Sequence, residues 1–125
     1  MAQSKKAWPA AIKGAEKLAY KTVENTKLHL HIFRPLKPRE NAPAVVFFFG
    51  GGWRSGTPAQ FEQQCRYLAS RGMVAMTAEY RIRNMHGMLA KTCVADGKSA
   101  IRWIRSNAKQ LGINPDRIAA GGGSA

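Results

Sequence analysis

The amino-acid sequence predicts an α/β fold in which a β-hairpin is followed by strands that alternate with helices. Two short apolar runs show no alternation of polar and apolar residues, which is typical of strands buried on both faces of a sheet. Each run is followed by a segment whose apolar side chains recur at helical spacing. Strands that alternate with helices imply right-handed crossovers and a parallel sheet covered on both faces. At 125 residues, the chain can bury one core.

The hairpin is predicted at residues 20–33, with a turn at Asn25 and Thr26. Its second strand alternates apolar residues with others, which predicts one buried face, so His29 and His31 are expected to face solvent. Residues 1–19 show no clear hydrophobic period and are predicted to form a polar leader. The domain is therefore expected to span residues 20–125.

The first apolar run, residues 44–49, is predicted to be a buried strand that ends at three consecutive glycines. Thr57 is expected to cap the N-terminus of the helix that follows, and Gln60 is expected to complete a capping box three residues later. Gly72 is placed to end that helix.

A second buried strand is predicted at residues 73–80, followed by a basic loop at residues 81–91. A longer helix then carries an apolar stripe and ends at Gly112. Asn114-Pro115-Asp116 predicts a turn, and residues 117–121 predict a last strand. The predicted order is hairpin, β, α, β, α, β.

The charge balance is strongly basic, with 20 Lys and Arg against 7 Asp and Glu and a net charge of +13. Such a charge can attract nucleic acid or another polyanion, so a polyanion-binding α/β module is one alternative function. The basic residues are scattered and form no block of five like charges, which favours a generally cationic surface instead. No specific nucleic-acid partner is expected.

Neither the cysteines nor the N-terminus indicates export. Cys65 and Cys93 are expected to be free, partly buried thiols, with a single disulfide as the alternative. The N-terminus has a short basic segment but no apolar stretch long enough for a signal peptide, so a cytoplasmic location is expected by default. No apolar run approaches the roughly 18 residues that a membrane-spanning helix needs.

The last four residues, Gly122-Gly123-Ser124-Ala125, supply the first four positions of the pattern Gly-x-Ser-x-Gly. A serine on a sharp turn after a strand presents its hydroxyl at the edge of the sheet, and the turn requires small neighbours. Ser124 is therefore a candidate nucleophile. Because glycine and serine are also common in linkers, this motif needs a second one to support it.

That second motif is Phe49-Gly50-Gly51-Gly52-Trp53, which follows the first buried strand and is called the glycine loop below. Ester hydrolysis on such a sheet needs backbone N–H donors in this loop for the oxygen that becomes negative. A plain turn and a phosphate-binding loop are the alternatives. Thr57 stands where a phosphate loop requires Lys, and Ser55 stands where a dinucleotide loop requires its third glycine. The loop and Ser124 are expected to converge beside neighbouring parallel strands.

With both motifs in register, the chain resembles the α/β-hydrolase superfamily, in particular the branch related to hormone-sensitive lipase, bacterial carboxylesterases and acetyl-xylan-type esterases. The resemblance covers residues 20–125, and it implies the N-terminal part of an α/β-hydrolase fold with an incomplete sheet. The matching motifs are residues 47–53, a variant of His-Gly-Gly-Gly-Trp; Glu79-Tyr80-Arg81; Asp96 with Ala100 and Trp103; and Asn114-Pro115-Asp116-Arg117-Ile118.

The resemblance implies a serine carboxylic-ester hydrolase that works through an acyl-enzyme, without metal or cofactor, on a small-molecule or carbohydrate-linked ester. Ser124 matches the nucleophile, and Gly51, Gly52 and Ala125 match the oxyanion donors. The remaining matches are expected to be structural, through an Arg–Asp contact and packing of helix on sheet; they are Tyr80, Arg81, Asp96 and Trp103.

Two departures from the family accompany the resemblance. Phe49 stands where the family has His, so any hydrogen bond that shapes the loop through that side chain is lost. The family's acid and histidine follow the serine, so the chain is expected to be a fragment that is nearly inactive alone. A catalytically inactive relic is the other alternative. His86 precedes Ser124 and is not expected to act as its base.

Overall fold

The structure is a computed structural model that describes residue 8 and residues 10–124. Residues 1–7, 9 and 125, which include part of the predicted leader and the candidate donor Ala125, lie outside the described residues. Within the described ranges, five strands form one mixed sheet in the order β1-β2-β4-β3-β5. The strands are β1 (Glu16–Val23), β2 (Thr26–Phe33), β3 (Ala42–Phe48), β4 (Val74–Ala78) and β5 (Ile113–Gly122), and the α-helices are α1 (Glu62–Ser70), α2 (Arg83–His86), α3 (Ala90–Ser106) and α4 (Ala108–Leu111).

The predicted order of elements is confirmed, with two short helices added. Strands β3, β4 and β5 are parallel, and the β1–β2 hairpin joins them through an antiparallel ladder between β2 and β4. Helix α2 lies inside the predicted basic loop, and α4 follows α3 after a single residue, Asn107. The left-handed residues Gly87 and Gly112 end these two short helices.

The hairpin begins earlier than the sequence predicts. Strand β1 starts at Glu16, which pairs with Ile32, so the boundary predicted between leader and domain falls inside this strand. The turn contains Glu24 with a φ of +52°, and the ladder is irregular between Ala19 and Lys21. The side chain at that irregularity, Tyr20, is buried, and its hydroxyl donates to the carbonyl of Glu79.

The prediction that His29 and His31 face solvent is wrong. Strand β2 is an inner strand, because it pairs with β1 on one side and with β4 on the other. His31 is only 1% exposed. The Nε2 of His31 lies 3.0 Å from Glu79 Oε2, and the Nδ1 of His29 lies 2.8 Å from Glu79 Oε1. The two histidines of β2 therefore both bind the buried carboxylate of Glu79, the residue directly after β4.

The two faces of the sheet carry separate parts of the core. Helix α1 covers one face, and its buried residues Cys65 and Ala69 pack against apolar residues of β2, β3 and β4. Helix α3 covers the other face through Ala100 and Ile104, which pack against residues such as Val46. Burying a side chain such as Ile104 or Val46 contributes about 1.5–3 kcal/mol. Parallel strands covered on both faces explain why their sequences are continuous apolar runs.

The entry to α1 differs from the predicted capping box. Thr57 Oγ1 accepts from the N–H of Ala59 at 3.3 Å, so Thr57 does cap a helical turn. That turn is a 3₁₀ segment, Pro58–Phe61, which leads into α1. The prediction that Gln60 completes the box is wrong, because its amide instead bonds the backbone of Gly50.

The last strand begins before the predicted turn rather than after it. Residues Asn114 to Asp116 lie inside β5, where the ladder with β3 shifts register between Ala42 and Ala44. The N–H of Asp116 donates to Asn114 Oδ1 at 2.9 Å, which is an Asx turn within the strand. Strand β5 is an outer strand of the described sheet, and its alanines Ala119 and Ala120 are exposed.

Both cysteines are free and buried, as predicted. Burial raises the pKa of the Cys65 thiol to about 12. In the part of the chain that the structure describes, no helix is long and apolar enough to cross a membrane.

Acid is expected to weaken the contribution of Glu79 to stability. Burial alone raises the pKa of this carboxyl, but its hydrogen bonds with His31 and His29 outweigh burial, and the pKa lies below its ordinary value. A lowered folded pKa stabilises the fold above the unfolded pKa, and that stabilisation is lost as pH falls through the folded pKa.

The test compares wild type with Glu79→Gln, which keeps the shape but cannot ionise. Their difference in free energy of unfolding, from urea titrations, should shrink between about pH 5 and about pH 3. The same comparison for Glu40→Gln, at an exposed position, should stay flat. A Glu79 difference that stays constant on acidification contradicts the expectation.

Candidate active site

The glycine loop and Ser124 meet at one edge of the sheet. They follow β3 and β5, which pair in parallel with Phe48 opposite Gly122, so both lie at the carboxyl ends of neighbouring strands. A Cβ built on Gly50 would lie 2.0 Å from the carbonyl oxygen of Gly123 and 3.0 Å from the Cβ of Ser124. The two backbones are in direct contact, and only a residue without a side chain fits at this point.

Ser124 occupies a strained and accessible position. Its backbone φ is +61°, in the left-handed region that residues other than glycine rarely adopt. Such a conformation directly after a strand is typical of the sharp turn that presents a nucleophilic serine. Ser124 is exposed and lines a cleft of about 530 Å³ together with Phe49, Trp53 and Tyr80.

The glycine loop turns tightly and leaves two backbone donors free. Gly52 and Trp53 have φ values of +66° and +64°, and the N–H of Arg54 donates to the carbonyl of Gly51 at 3.2 Å. These features are those of a type I′ turn. Among the described residues, the N–H groups of Gly51 and Gly52 donate no hydrogen bond. Both remain available to an oxygen that develops negative charge beside the loop.

Gln60 attaches to the loop at Gly50. The N–H of Gly50 donates to Gln60 Oε1 at 2.9 Å, and Gln60 Nε2 donates to the carbonyl of Gly50 at 3.0 Å. The sequence does not predict this contact, because the spacing of Thr57 and Gln60 matches a capping box equally well. No sequence signal distinguishes the two uses of the side chain.

Phe49 fixes the start of the loop by packing. Its side chain is 2% exposed and stacks on Tyr80, with ring centroids 4.2 Å apart. The hydroxyl of Tyr80 donates to the carbonyl of Phe49, and burial raises the pKa of that hydroxyl to about 12, so it remains a donor. Trp8 meets Phe49 edge-on at 6.1 Å, and its Nε1 donates to the carbonyl of Gly56 at 3.1 Å. Phe49, packed among aromatic side chains, thus occupies the position where the family has the imidazole of a histidine.

All three histidines of the chain have partners other than Ser124. His29 and His31 contact Glu79, as described above. The Nδ1 of His86 accepts from the N–H of Ile82 at 3.0 Å, and its ring packs on Trp8 at 5.1 Å. Burial lowers the pKa of His86, which keeps it neutral. These contacts agree with the expectation that His86 is not the base for Ser124.

The predicted Arg–Asp contact is confirmed and holds α3 to the chain after β4. Arg81 donates to the Asp96 carboxylate through Nε at 2.9 Å and through its terminal NH2 nitrogen (Nη2) at 2.8 Å. Lys21 Nζ adds a third contact at 2.8 Å. Burial alone raises the pKa of Asp96, but these hydrogen bonds outweigh burial and lower it. Trp103 packs against the core on the same helix, as predicted.

The structure thus places Gly50, which directly precedes the candidate donors Gly51 and Gly52, against the backbone turn at Ser124, and Ala125 lies outside the described residues. Within the described residues, no group of three or more His, Cys, Asp or Glu side chains could hold a metal ion.

The strand order and the strained serine beside the glycine loop agree with part of an α/β-hydrolase fold. The chain belongs to the BD-FAE family, whose model matches residues 30–125.

The similar proteins are esterases. A carboxylesterase, NlhH, of Mycobacterium tuberculosis is 32% identical over 80% of this chain and 31% of its own length. An arylesterase of Saccharolobus solfataricus is 35% identical over 82% of this chain and 33% of its own length. The chain therefore spans about a third of these curated relatives.

A solved structure, esterase Est2 of Thermogutta terrifontis, superposes with a TM-score of 0.87 at 54% identity, covering 90% of this chain and 41% of that one. Other structures of that esterase have butyrate or propionate bound, or are phosphorylated by paraoxon.

Gly50→Ala is expected to destabilise the fold or to move the glycine loop away from Ser124, because the alanine Cβ would overlap the carbonyl oxygen of Gly123. Overpacking of this kind costs about 1–3 kcal/mol or more. The matched control is Gly87→Ala, since Gly87 has a φ of +67° but open space around it. That change costs only left-handed strain, about 1–2 kcal/mol. Urea unfolding measures both, and a smaller loss at Gly50 than at Gly87 contradicts the close approach.

Asp96→Asn is expected to destabilise the fold by about 3–5 kcal/mol, because it leaves Arg81 without its buried counter-charge. Asp116→Asn makes the same chemical change at an exposed position and should stay within about 0.5 kcal/mol of wild type. The measurement is again the free energy of unfolding in urea. Equal losses in the two variants show that the buried carboxylate does not anchor α3.

Proposed function

We propose that this chain supplies the nucleophile and the oxyanion donors of a serine carboxylic-ester hydrolase. The contact between the backbone of Gly50 and the Gly123–Ser124 turn supports the proposal, because it joins the strained turn at Ser124 to the residue directly before the candidate donor Gly51. The esterase relatives support the same reaction class. The alternative of a polyanion-binding module finds no support among those relatives.

In the proposed reaction, the Ser124 oxygen attacks the carbonyl carbon of the ester while a base takes the hydroxyl proton. The carbonyl oxygen becomes negative in the tetrahedral intermediate and accepts hydrogen bonds from the N–H groups of Gly51, Gly52 and Ala125. Collapse breaks the bond to the alcohol, which leaves with the proton, and an acyl-enzyme remains. Water then attacks the acyl carbon and releases the carboxylic acid and free Ser124.

The base in this proposal is a histidine beyond residue 125, oriented by an acidic residue. Two observations support it: the chain's own histidines are bound elsewhere, and the resemblance implies an acid and a histidine that follow the serine. Because a serine without its base is a poor nucleophile, the 125 residues alone are expected to hydrolyse esters very slowly.

The proposed substrates are small esters with short acyl groups. The cleft beside Ser124 is lined by the aromatic side chains of Phe48, Phe49, Trp53 and Tyr80, and on its α3 side also by Lys98, Arg102 and Arg105. The aromatic part of this lining suits an apolar acyl or alcohol group. The Thermogutta esterase, which is 54% identical, has structures with butyrate and propionate bound, and these are acids of that size.

The experiment is fluorophosphonate labelling of the full-length gene product that contains this chain. Wild type should be labelled at Ser124, and Ser124→Ala should lose the label together with hydrolysis of p-nitrophenyl butyrate. Removing the attacking oxygen prevents both reactions, so the loss should be at least about a thousandfold.

The matched control is Ser106→Ala, which removes an exposed hydroxyl at the end of α3. It should label and hydrolyse as wild type does. Equal labelling of wild type and Ser124→Ala removes Ser124 from the assigned role.

A further inference from the structure

Gln60 holds both polar backbone groups of a single residue. Its carboxamide accepts from the N–H of Gly50 at 2.9 Å and donates to the carbonyl of Gly50 at 3.0 Å. This pairing needs one donor and one acceptor on the same side chain. A carboxylate offers only acceptors and an aliphatic group offers neither, so the amide matches Gly50 in a way that Glu or Leu cannot.

The bond to the Gly50 carbonyl also determines the direction of another group. The carbonyl of Gly50 and the N–H of Gly51 belong to the same peptide unit, which is planar and trans. In such a unit the C=O and the N–H point in opposite directions. Gln60, by holding the carbonyl oxygen, therefore turns the free N–H of Gly51 away from itself and keeps it there.

The second free donor is oriented by a different part of the loop. The N–H of Gly52 shares its peptide unit with the carbonyl of Gly51, which accepts from the N–H groups of Arg54 and Ser55, each at 3.2 Å. The hydroxyl of Ser55 donates to the same oxygen at 3.2 Å. The turn itself thus orients the N–H of Gly52, whereas the orientation of the Gly51 N–H depends on the side chain of Gln60, which is ten residues from Gly50.

Gln60 lies on a segment that contacts with the sheet hold in place. It lies in the 3₁₀ segment Pro58–Phe61, and its own N–H donates to the carbonyl of Thr57 at 3.1 Å. The buried hydroxyl of Thr77 on β4 donates to the carbonyl of Pro58 at 2.8 Å. Phe61 stacks on Phe47 of β3, with centroids 4.9 Å apart and planes 5° apart. The segment is tied to two strands of the sheet.

The loop needs such an external tie. Three consecutive glycines have more conformational freedom than any other tripeptide of natural residues. Phe49 contributes packing, but its side chain has no hydrogen-bonding group. The Tyr80 hydroxyl bonds the carbonyl of Phe49, one peptide unit before the one that contains the Gly51 N–H.

From this geometry we propose that Gln60 is a positioning residue, which orients the N–H of Gly51 toward the oxyanion of the ester reaction. The proposal rests on the function proposed above. The carboxamide of Gln60, on the 3₁₀ segment, orients one oxyanion donor, the N–H of Gly51. The type I′ turn orients the other, the N–H of Gly52.

Two variants separate the two bonds that Gln60 makes. Gln60→Leu removes both. Gln60→Glu keeps an acceptor for the N–H of Gly50 and loses the donor that holds the Gly50 carbonyl. Gln64→Leu is the matched control, because Gln64 is exposed on α1 and has no hydrogen bond among the described side chains. Gln60 is itself exposed apart from these bonds, so its replacement removes little buried surface.

The first measurement is NMR on the full-length gene product and does not depend on activity. In Gln60→Leu, exchange of the Gly50 amide should accelerate at least about tenfold, and the order parameter of the Gly51 N–H should fall from about 0.85 toward about 0.6. Gln60→Glu should keep the protection of Gly50 and still lose order at Gly51. Unchanged order at Gly51 in both Gln60 variants overturns the proposal.

The second measurement is kinetics of the full-length gene product. Loss of one oxyanion donor lowers kcat by about 10²–10³, so a misoriented donor should lower kcat by about 10- to 100-fold in both Gln60 variants, with KM within about twofold of wild type. Gln64→Leu should match wild type. A Gln60→Glu enzyme with wild-type kcat overturns the proposal.

The two measurements also distinguish this proposal from the one it rests on. Absence of Ser124-dependent hydrolysis in wild type overturns the ester-hydrolase function and, with it, the catalytic role of Gln60. Hydrolysis that is present but insensitive to both Gln60 variants overturns the role of Gln60 alone. Urea unfolding of each variant checks that a loss of kcat does not come from a loss of fold.

Discussion

The candidate site depends on the approach of the Gly50 backbone to the carbonyl of Gly123. The approach follows from the parallel ladder between β3 and β5, whose paired residues bring both segments to the same level at the sheet edge. A side chain at Gly50 has no room. The pairing of the two strands therefore also requires a glycine directly before the two free N–H donors, those of Gly51 and Gly52. The strain at Ser124, with a φ of +61°, is held by the same contact.

Three consecutive residues after β4 connect this edge to the rest of the molecule. Glu79 binds the two histidines of the hairpin, Tyr80 binds the carbonyl of Phe49, and Arg81 binds Asp96 on α3. Each of them reaches a different element, so the hairpin, the glycine loop and the longest helix are held by one short stretch of chain. The sequence motif Glu-Tyr-Arg is therefore a structural junction beside the site.

The order of elements and the position of Ser124 could be predicted because they follow from local patterns, namely apolar runs, helical spacing and small residues around a serine. The burial of His31 could not be predicted in this way, because it depends on pairing with Thr77 of β4, far along the chain. The bond between Gln60 and Gly50 was missed for a related reason: the spacing of Gln60 from Thr57 fits a helix cap, and only the path of the loop decides which partner the amide meets.

The hydrogen bonds between Gln60 and Gly50 affect how the glycine loop responds to pH. An amide side chain does not ionise, the phenyl ring of Phe49 does not, and Tyr80 keeps its proton to well above neutrality. The immediate supports of the free donors thus contain no group that titrates near neutral pH. An imidazole in the place of the Phe49 ring would change its charge near neutral pH, whereas the hydrogen bonds by which Gln60 and Tyr80 hold the glycine loop keep the same form there.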